Sequence, residues 1–106
     1  MDTAPKDIPG SVKAGEAFLL DVRTDEEWAE SHAEGAVQME LMRILQDGEV
    51  PDVPKDKTIY IYCHSGNRAG MAQQALRDNG FVNALSIGGL GDWQMLGGKI
   101  VKDGAK

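Results

Sequence analysis

Short apolar runs alternate along this chain with segments of helical spacing, and that alternation predicts its elements. Phe18-Leu19-Leu20-Asp21-Val22 is a compact apolar run of strand length. Thr24 follows it, with Glu27 three residues later, the pattern of a capping box, so a helix is expected over about residues 25 to 31. Gly35-Ala36-Val37-Gln38-Met39 reads as a second short strand. Leu41, Ile44 and Leu45 then recur at helical spacing before Asp47-Gly48. Residues 49 to 57 hold two prolines and several charges and read as a surface loop.

Thr58-Ile59-Tyr60-Ile61-Tyr62 is β-branched and aromatic at every position, which suits a strand covered on both faces, as in a parallel sheet. It ends at Cys63. Beyond Gly66, the residues Ala69, Ala72, Ala75 and Leu76 form the apolar stripe of a helix that can lie close to a sheet, and Asn79-Gly80 with Phe81 behind it predicts its C-cap. Ala84-Leu85-Ser86-Ile87 makes another strand, and Gly88-Gly89 turns into a segment bearing Leu90, Trp93, Met95 and Leu96. Strand and helix thus alternate throughout, which argues for an α/β domain with a mostly parallel sheet. In such sheets ligands bind beyond the carboxyl ends of the strands, where Cys63 falls.

Composition narrows the picture. At 106 residues and 42% hydrophobic content, one domain is expected over residues 1–106. No stretch approaches the roughly 18 apolar residues of a membrane-spanning helix, and Met1 to Gly10 has no apolar signal core. The chain as given reads as cytoplasmic, with a periplasmic location as the alternative if a signal peptide was removed. With 17 acidic and 11 basic residues, the net charge of -6 opposes binding to nucleic acid or to an anionic membrane surface. One cysteine excludes an internal disulfide, and with only His32 and His64 beside it no structural zinc site is expected. Cys63 is therefore either an inert core residue or a reactive thiol.

The segment Cys63-His64-Ser65-Gly66-Asn67-Arg68 lies between a buried strand and a helix, so its backbone N–H groups can converge above the cysteine as a nest for an anion. The helix N-terminus behind it adds positive potential, and both effects favour thiolate over thiol. No Asp or Glu occurs between Lys57 and Arg77, which leaves this stretch electropositive in an acidic chain. Gly66 and Gly70 suit a tightly curved backbone, and Arg68 can turn inward to meet a sulfonate or phosphate oxygen with its forked donors. Taken singly, a lone cysteine is more often core than reactive. The joint placement favours the reactive reading.

These residues resemble the active-site loop of rhodanese-like sulfurtransferases, a cysteine with an arginine five positions on. Leu20-Asp21-Val22-Arg23 followed by Glu27-Trp28 is similar to that family's Asp-Val-Arg signature, and His32-Ala33-Glu34-Gly35-Ala36 to its His-x-x-Gly-Ala element. Gly88-Gly89 with Trp93 resembles its C-terminal element, and Gly88 to Asp92 looks similar to the exported, single-domain phage-shock protein E type. The motifs fall in order over about residues 18 to 96. The resemblance implies a central five-stranded, mostly parallel sheet flanked by helices on both faces. It implies that Cys63 takes the sulfane sulfur and that His64, Ser65, Gly66, Asn67 and Arg68 supply the binding loop. Asp21, Arg23, Glu27 and His32 are expected in structural support: Asp21 accepting loop or helix-terminal N–H bonds, Arg23 and Glu27 holding each other across one helical turn, and His32 tying the loop before the next strand. Trp28 and Trp93 are expected in the core or at the rim. For His64, binding of sulfite or thiosulfate and plain solvation are equally open.

The chemistry so implied is thiosulfate:cyanide sulfurtransfer through a persulfide on Cys63, with no metal and no organic cofactor. The expected partners are a small sulfur donor and a thiophilic acceptor, cyanide or the thiol of a thioredoxin-like or other protein, and the chain is expected to be a monomer. A relay or binding module that receives persulfide from a protein partner is the alternative. Phosphatases and arsenate reductases of the same fold resemble Cys-x5-Arg, whereas Arg68 makes Cys-x4-Arg here and Ala69 stands at the phosphatase position. The shorter loop favours sulfur.

Overall fold

The computed structural model describes residues 7–102, and the lowest-order element is a helix that the hydrophobic pattern does not announce. Helix α1 (Ile8–Lys13) begins at Asp7, whose side chain accepts the Gly10 N–H at 2.9 Å, with Pro9 in the first turn, where its missing donor costs nothing. Strand β1 (Ala17–Asp21) follows, then α2 (Asp25–Glu30), β2 (Ser31–Ala33), β3 (Val37–Gln38) and α3 (Leu41–Leu45). After the 49–57 loop come β4 (Thr58–Cys63), α4 (Asn67–Asp78), β5 (Ala84–Gly89), α5 (Leu90–Met95) and β6 (Ile100–Lys102).

Each boundary has a local cause. Thr24 accepts the Glu27 N–H while the Glu27 carboxylate accepts the Thr24 N–H, the capping box that starts α2. Gly80, at φ 95°, ends α4, and the Gly80 and Phe81 N–H groups donate to Arg77 and Leu76 carbonyls at 3.0 Å. Phe81 then buries itself against the core, which completes the Schellman stop. The predicted strand over 35–39 shrinks to two residues, because Gly35 turns at φ 89° and Met39 donates to the Asp21 carbonyl beyond the end of β1.

The central sheet runs β3-β1-β4-β5 with every neighbouring pair parallel. It therefore has four strands among the described residues, not five. The remaining strands, β2 and β6, form a separate antiparallel ribbon with His32 opposite Val101. Alternation along β4 sorts the core into two layers. Ile59, Ile61 and Cys63 face α3 and α4 with Leu20, Leu41, Ile44, Ala69, Ala72 and Leu76. Tyr60 and Tyr62 face the other way, with Leu19, Ala33 and Trp93, and with Ile8 and Val12 of α1. The small side chains of Ala69 and Ala72 let α4 lie against β4, as their spacing predicts. On α5, Trp93 is buried, whereas Met95 points to solvent at 88% exposure.

This topology positions the site. The chain steps from β1 outward to β3, then returns across β1 to β4 on its other side, so the winding reverses between β1 and β4. Connections leaving such neighbours diverge to opposite faces and open a crevice at the strands' carboxyl ends. Asp21 ends β1, and Cys63 ends β4.

Candidate functional site

Cys63 is fully buried, and its Sγ accepts the Gly66 N–H at 2.8 Å. The chain folds back on its own cysteine because Gly66 adopts φ 104°, a left-handed conformation that glycine enters without a Cβ penalty. Gly66 is also the N-cap of α4, and no side chain caps that helix among the described residues, so the positive end of a 12-residue helix faces the sulfur. An N–H donor and the positive end of a helix, both groups that favour an anion, therefore stand at the sulfur.

A second glycine pair presses the loop into place. In β5 the register against β4 shifts, with Ile61 opposite Ser86 but Tyr62 opposite Gly88, so a bulge falls beside the cysteine. Gly89 pairs with Cys63, and a Cβ on it would collide with the His64 carbonyl oxygen. Gly88 lies 3.5 Å from where a Gly66 Cβ would stand. Asp92 holds this turn from below, its carboxylate accepting the Gly89 N–H at 2.7 Å. Gly70 has no such role, because a methyl added to it meets nothing within 4 Å. His64, Ser65 and Asn67 are exposed around the cysteine.

The charged residues pair differently from the expectation. Arg23 does not hold Glu27: its guanidinium grips Asp21, donating to both carboxylate oxygens at 2.9 to 3.1 Å, and reaches the Ser31 carbonyl. Tyr62 joins the same network by donating to Asp21 at 2.5 Å and accepting the Ala33 N–H at 2.9 Å. Burial, then the Asp21 charge, raises the Tyr62 hydroxyl above its ordinary range, so it remains a donor. Burial works against the charge of Arg23, yet its hydrogen bonds to Asp21 leave its pKa raised. Asp21 does accept one loop N–H, that of Arg23 at 2.8 Å, but its main partners are side chains.

Arg68 does not turn inward either. It forks onto Glu27, Nη1 to Oε1 at 2.8 Å and Nη2 to Oε2 at 3.0 Å, with each side chain about 30% exposed. Hydrogen bonding to Arg68 pulls the Glu27 carboxyl down to about 2, with Thr24 helping against partial burial. The stretch between Lys57 and Arg77 is free of acid in sequence, but folding sets the Glu27 carboxylate directly against its one arginine. The residues that spacing alone does not reveal are thus Tyr62 as a polar anchor, Glu27 as the partner of Arg68, and Asp92 as the brace of the glycine turn. Glu27 and Asp92 each carry a local signal, a carboxylate three residues after an N-cap. Tyr62 carries none. His32 is buried, its Nδ1 3.1 Å from the Trp28 carbonyl and its ring stacked on Trp28 at 3.5 Å. Trp28 is half-buried at the rim, while Trp93 is buried and donates to the Lys99 carbonyl at 2.8 Å.

A cavity of about 450 Å³ lies between α1, Trp93 and the 97–99 turn, and none of its lining residues belongs to the cysteine loop. Around Cys63 the loop presents the Gly66 N–H to the sulfur and the exposed side chains of His64, Ser65 and Asn67 to its surroundings. No cluster of three His, Cys, Asp or Glu suited to a metal ion occurs among the described residues, and no helix there is long and apolar enough to cross a membrane.

An α/β domain with a buried cysteine at a strand end, beneath a glycine-turned loop and a helix N-terminus, defines a class of single-cysteine group-transfer folds. The chain belongs to the rhodanese-like family: the rhodanese-like domain pattern matches residues 5–96. It is 32% identical over 78 residues to the thiosulfate sulfurtransferase PspE of Escherichia coli K12, covering 72% of this chain and 73% of that protein. It is 34% identical over 77 residues to the adenylyltransferase and sulfurtransferase uba4 of Ogataea parapolymorpha, covering 72% of this chain but only 20% of that longer protein. In structure it resembles an E. coli rhodanese solved with anions, with a TM-score of 0.66 at 32% identity over 81% of this chain and 98% of the other. Both of these curated relatives are sulfurtransferases by name.

Proposed function

We propose that this protein transfers a sulfane sulfur through a persulfide on Cys63, with thiosulfate as a competent donor and cyanide or a thiol as acceptor. The observation that carries the reading is the Cys63 Sγ at the end of β4, 2.8 Å from the Gly66 N–H at the start of α4. The Cys63 thiolate attacks the outer sulfur of thiosulfate and forms a new S–S bond. The donor's own S–S bond breaks, and its electron pair leaves with sulfite. The Gly66 N–H and the α4 dipole stabilise the charge that remains on the terminal sulfur. An acceptor nucleophile then takes that sulfur and returns the thiolate. The sulfurtransferase relatives and the anions in the E. coli rhodanese structure support the reading. His64, Ser65, Asn67 and Arg68 form the rim of the donor site in this scheme, with Asp21, Arg23 and His32 behind it, and residues 1–106 act as one domain.

A second donor class is favoured by one observation: Arg68 is already engaged by Glu27, so the loop offers a bound anion less positive charge than its sequence suggests. A persulfide delivered by another protein needs less. Intact mass spectrometry separates the outcomes. Thiosulfate should add one sulfur mass to the protein and cyanide should remove it, and Cys63→Ser should show neither change. A wild-type protein that gains no sulfur from thiosulfate but does gain it from a protein persulfide would move the assignment to the relay.

A further inference from the structure

Three cations among the described residues are anchored at one end of the sheet. Lys57 donates to the Gly15 carbonyl just before β1, Lys55 to the Asn79 carbonyl, and Arg77 to the Ala84 carbonyl at the start of β5. All three are thereby held near the amino ends of the strands. Cys63 lies at the opposite, carboxyl end, where Arg68 is the one permanent cation in the loop from residue 63 to 68. There the first turn of α2 sets Asp25 and Glu26, both exposed, beside Glu27, and Glu27 closes on Arg68 with two hydrogen bonds. The capping box fixes Glu27 in turn, because Thr24 donates to Oε1 through its N–H at 2.9 Å and through its hydroxyl at 3.2 Å. Four bonds therefore hold this carboxylate in one place, and it stays ionised at any physiological pH.

We propose that Glu27 is a specificity-determining residue: by occupying the Arg68 guanidinium it biases the Cys63 loop away from doubly charged inorganic donors and toward singly charged organic ones, of the thiosulfonate or persulfide class. The inference rests on the reading of Cys63 as the sulfur carrier and extends it to the choice of donor. An incoming donor anion meets an arginine whose charge is already balanced, with the exposed Asp25 and Glu26 in the same helical turn as the balancing carboxylate. Each added negative charge on the donor makes that encounter less favourable. Neutral backbone N–H groups, which recognise the transferred sulfur itself, serve both donor classes equally. The chemistry is balanced for each: the thiolate pair forms the Cys63–S–S bond, the donor S–S bond breaks, and its pair departs on sulfite from thiosulfate, on a sulfinate from a thiosulfonate or on a thiolate from a persulfide.

The test compares two donors of the same outer sulfur and different charge, thiosulfate and methanethiosulfonate, by the rate of persulfide formation on intact protein. Glu27→Gln should raise the thiosulfate to methanethiosulfonate ratio by about fivefold, the Boltzmann factor for one unit charge facing one added charge through a largely aqueous surface. The gain should appear as tighter half-saturation by thiosulfate, with the limiting rate little changed. Glu27→Asp, which keeps the charge, should return the ratio toward wild type. The double variant Asp25→Asn/Glu26→Gln, which leaves the Glu27–Arg68 bonds alone, should shift the ratio in the same direction by less. A ratio unchanged in Glu27→Gln overturns the proposal, as does an equal loss of rate with both donors, the signature of a purely structural role. If the wild-type protein takes sulfur from neither donor, the carrier reading falls and this inference falls with it.

Discussion

Replacing Tyr62 by Phe separates the two faces of the central strand in a single experiment. Tyr62 and Cys63 are neighbours in sequence, yet β4 sends them to opposite sides of the sheet. The Tyr62 hydroxyl donates to the buried Asp21 carboxylate and accepts the Ala33 N–H, so it ties β4 to the end of β1 and to β2. Every buried side-chain nitrogen and oxygen among the described residues has a partner, and the variant breaks that condition. A hydrogen bond to a charged group contributes roughly 1.5–3 kcal/mol, and a buried donor left without an acceptor costs roughly 1–3 kcal/mol. The ring keeps its packing, including the Arg23 guanidinium 5.5 Å from its centroid. Because the two effects share one hydroxyl, a net loss of about 3 kcal/mol is expected. For a domain of this size that lowers the thermal midpoint by roughly 12–24 °C. Thermal and urea unfolding followed by circular dichroism measure the loss. Sulfur loading per folded molecule, read by intact mass at a temperature well below the midpoint, should stay at the wild-type level. A loss under about 1 kcal/mol would refute the account of a dry, fully paired network. Normal stability with abolished loading would place Tyr62 in the site itself.

Three further outcomes are expected. Gly89→Ala should cost roughly 1–3 kcal/mol and slow sulfur loading, because its methyl meets the His64 carbonyl and must displace the cysteine loop; equal loading rates for the two proteins would exclude that contact. Glu27 titrates near 2 when folded and near 4.5 unfolded, so its stabilisation is present above about pH 4.5 and disappears as pH falls through 2. The shift sets an upper bound of about 3 kcal/mol, which solvent screening of a pair about 30% exposed reduces to ~1–2 kcal/mol, and Glu27→Gln should lose that share of the acid dependence in denaturant titrations at pH 6 and pH 3. Leu76→Ala, at a fully buried position of α4, should destabilise by roughly 2–5 kcal/mol while leaving the folded protein able to take up sulfur.

Much of the fold is legible in the residues because its causes are local. The Thr24–Glu27 box, the Gly80–Phe81 stop and the two-faced apolar run of β4 each depend on a few neighbouring side chains, and each is found where the pattern places it. The elements that escape notice are those whose cause is distant. Helix α1 has no buried residue, and β2 and β6 are three residues each; they exist because they pair with each other and cover Tyr62 and Trp93. The resemblance implies a fifth sheet strand, but among the described residues the strands outside the four-stranded sheet pair with each other as this ribbon. The same division applies at the site. The cysteine, the left-handed glycine and the following helix are contiguous, so the loop from Cys63 to Arg68 can be read directly. The partners of its charges come from elsewhere in the chain.

What the amino-acid sequence determines by itself is an α/β chain with one cysteine at a strand end, inside a loop whose length and glycine permit N–H groups to turn back on the sulfur. Those features follow from periodicity, capping and backbone freedom, which act over a few residues. Tertiary structure alone decides the electrostatics. Arg23 and Glu27 are four residues apart on paper, and an ion pair between them is the natural expectation. In the folded chain Arg23 lies at the buried end of β1, within reach of Asp21, and Glu27 lies across from Arg68, 41 residues away. Charge interactions act through space and are strengthened by burial, so which carboxylate faces which guanidinium depends on strand order and on the crevice between β1 and β4. The arginine that spacing aims at a donor is aimed by the fold at a glutamate.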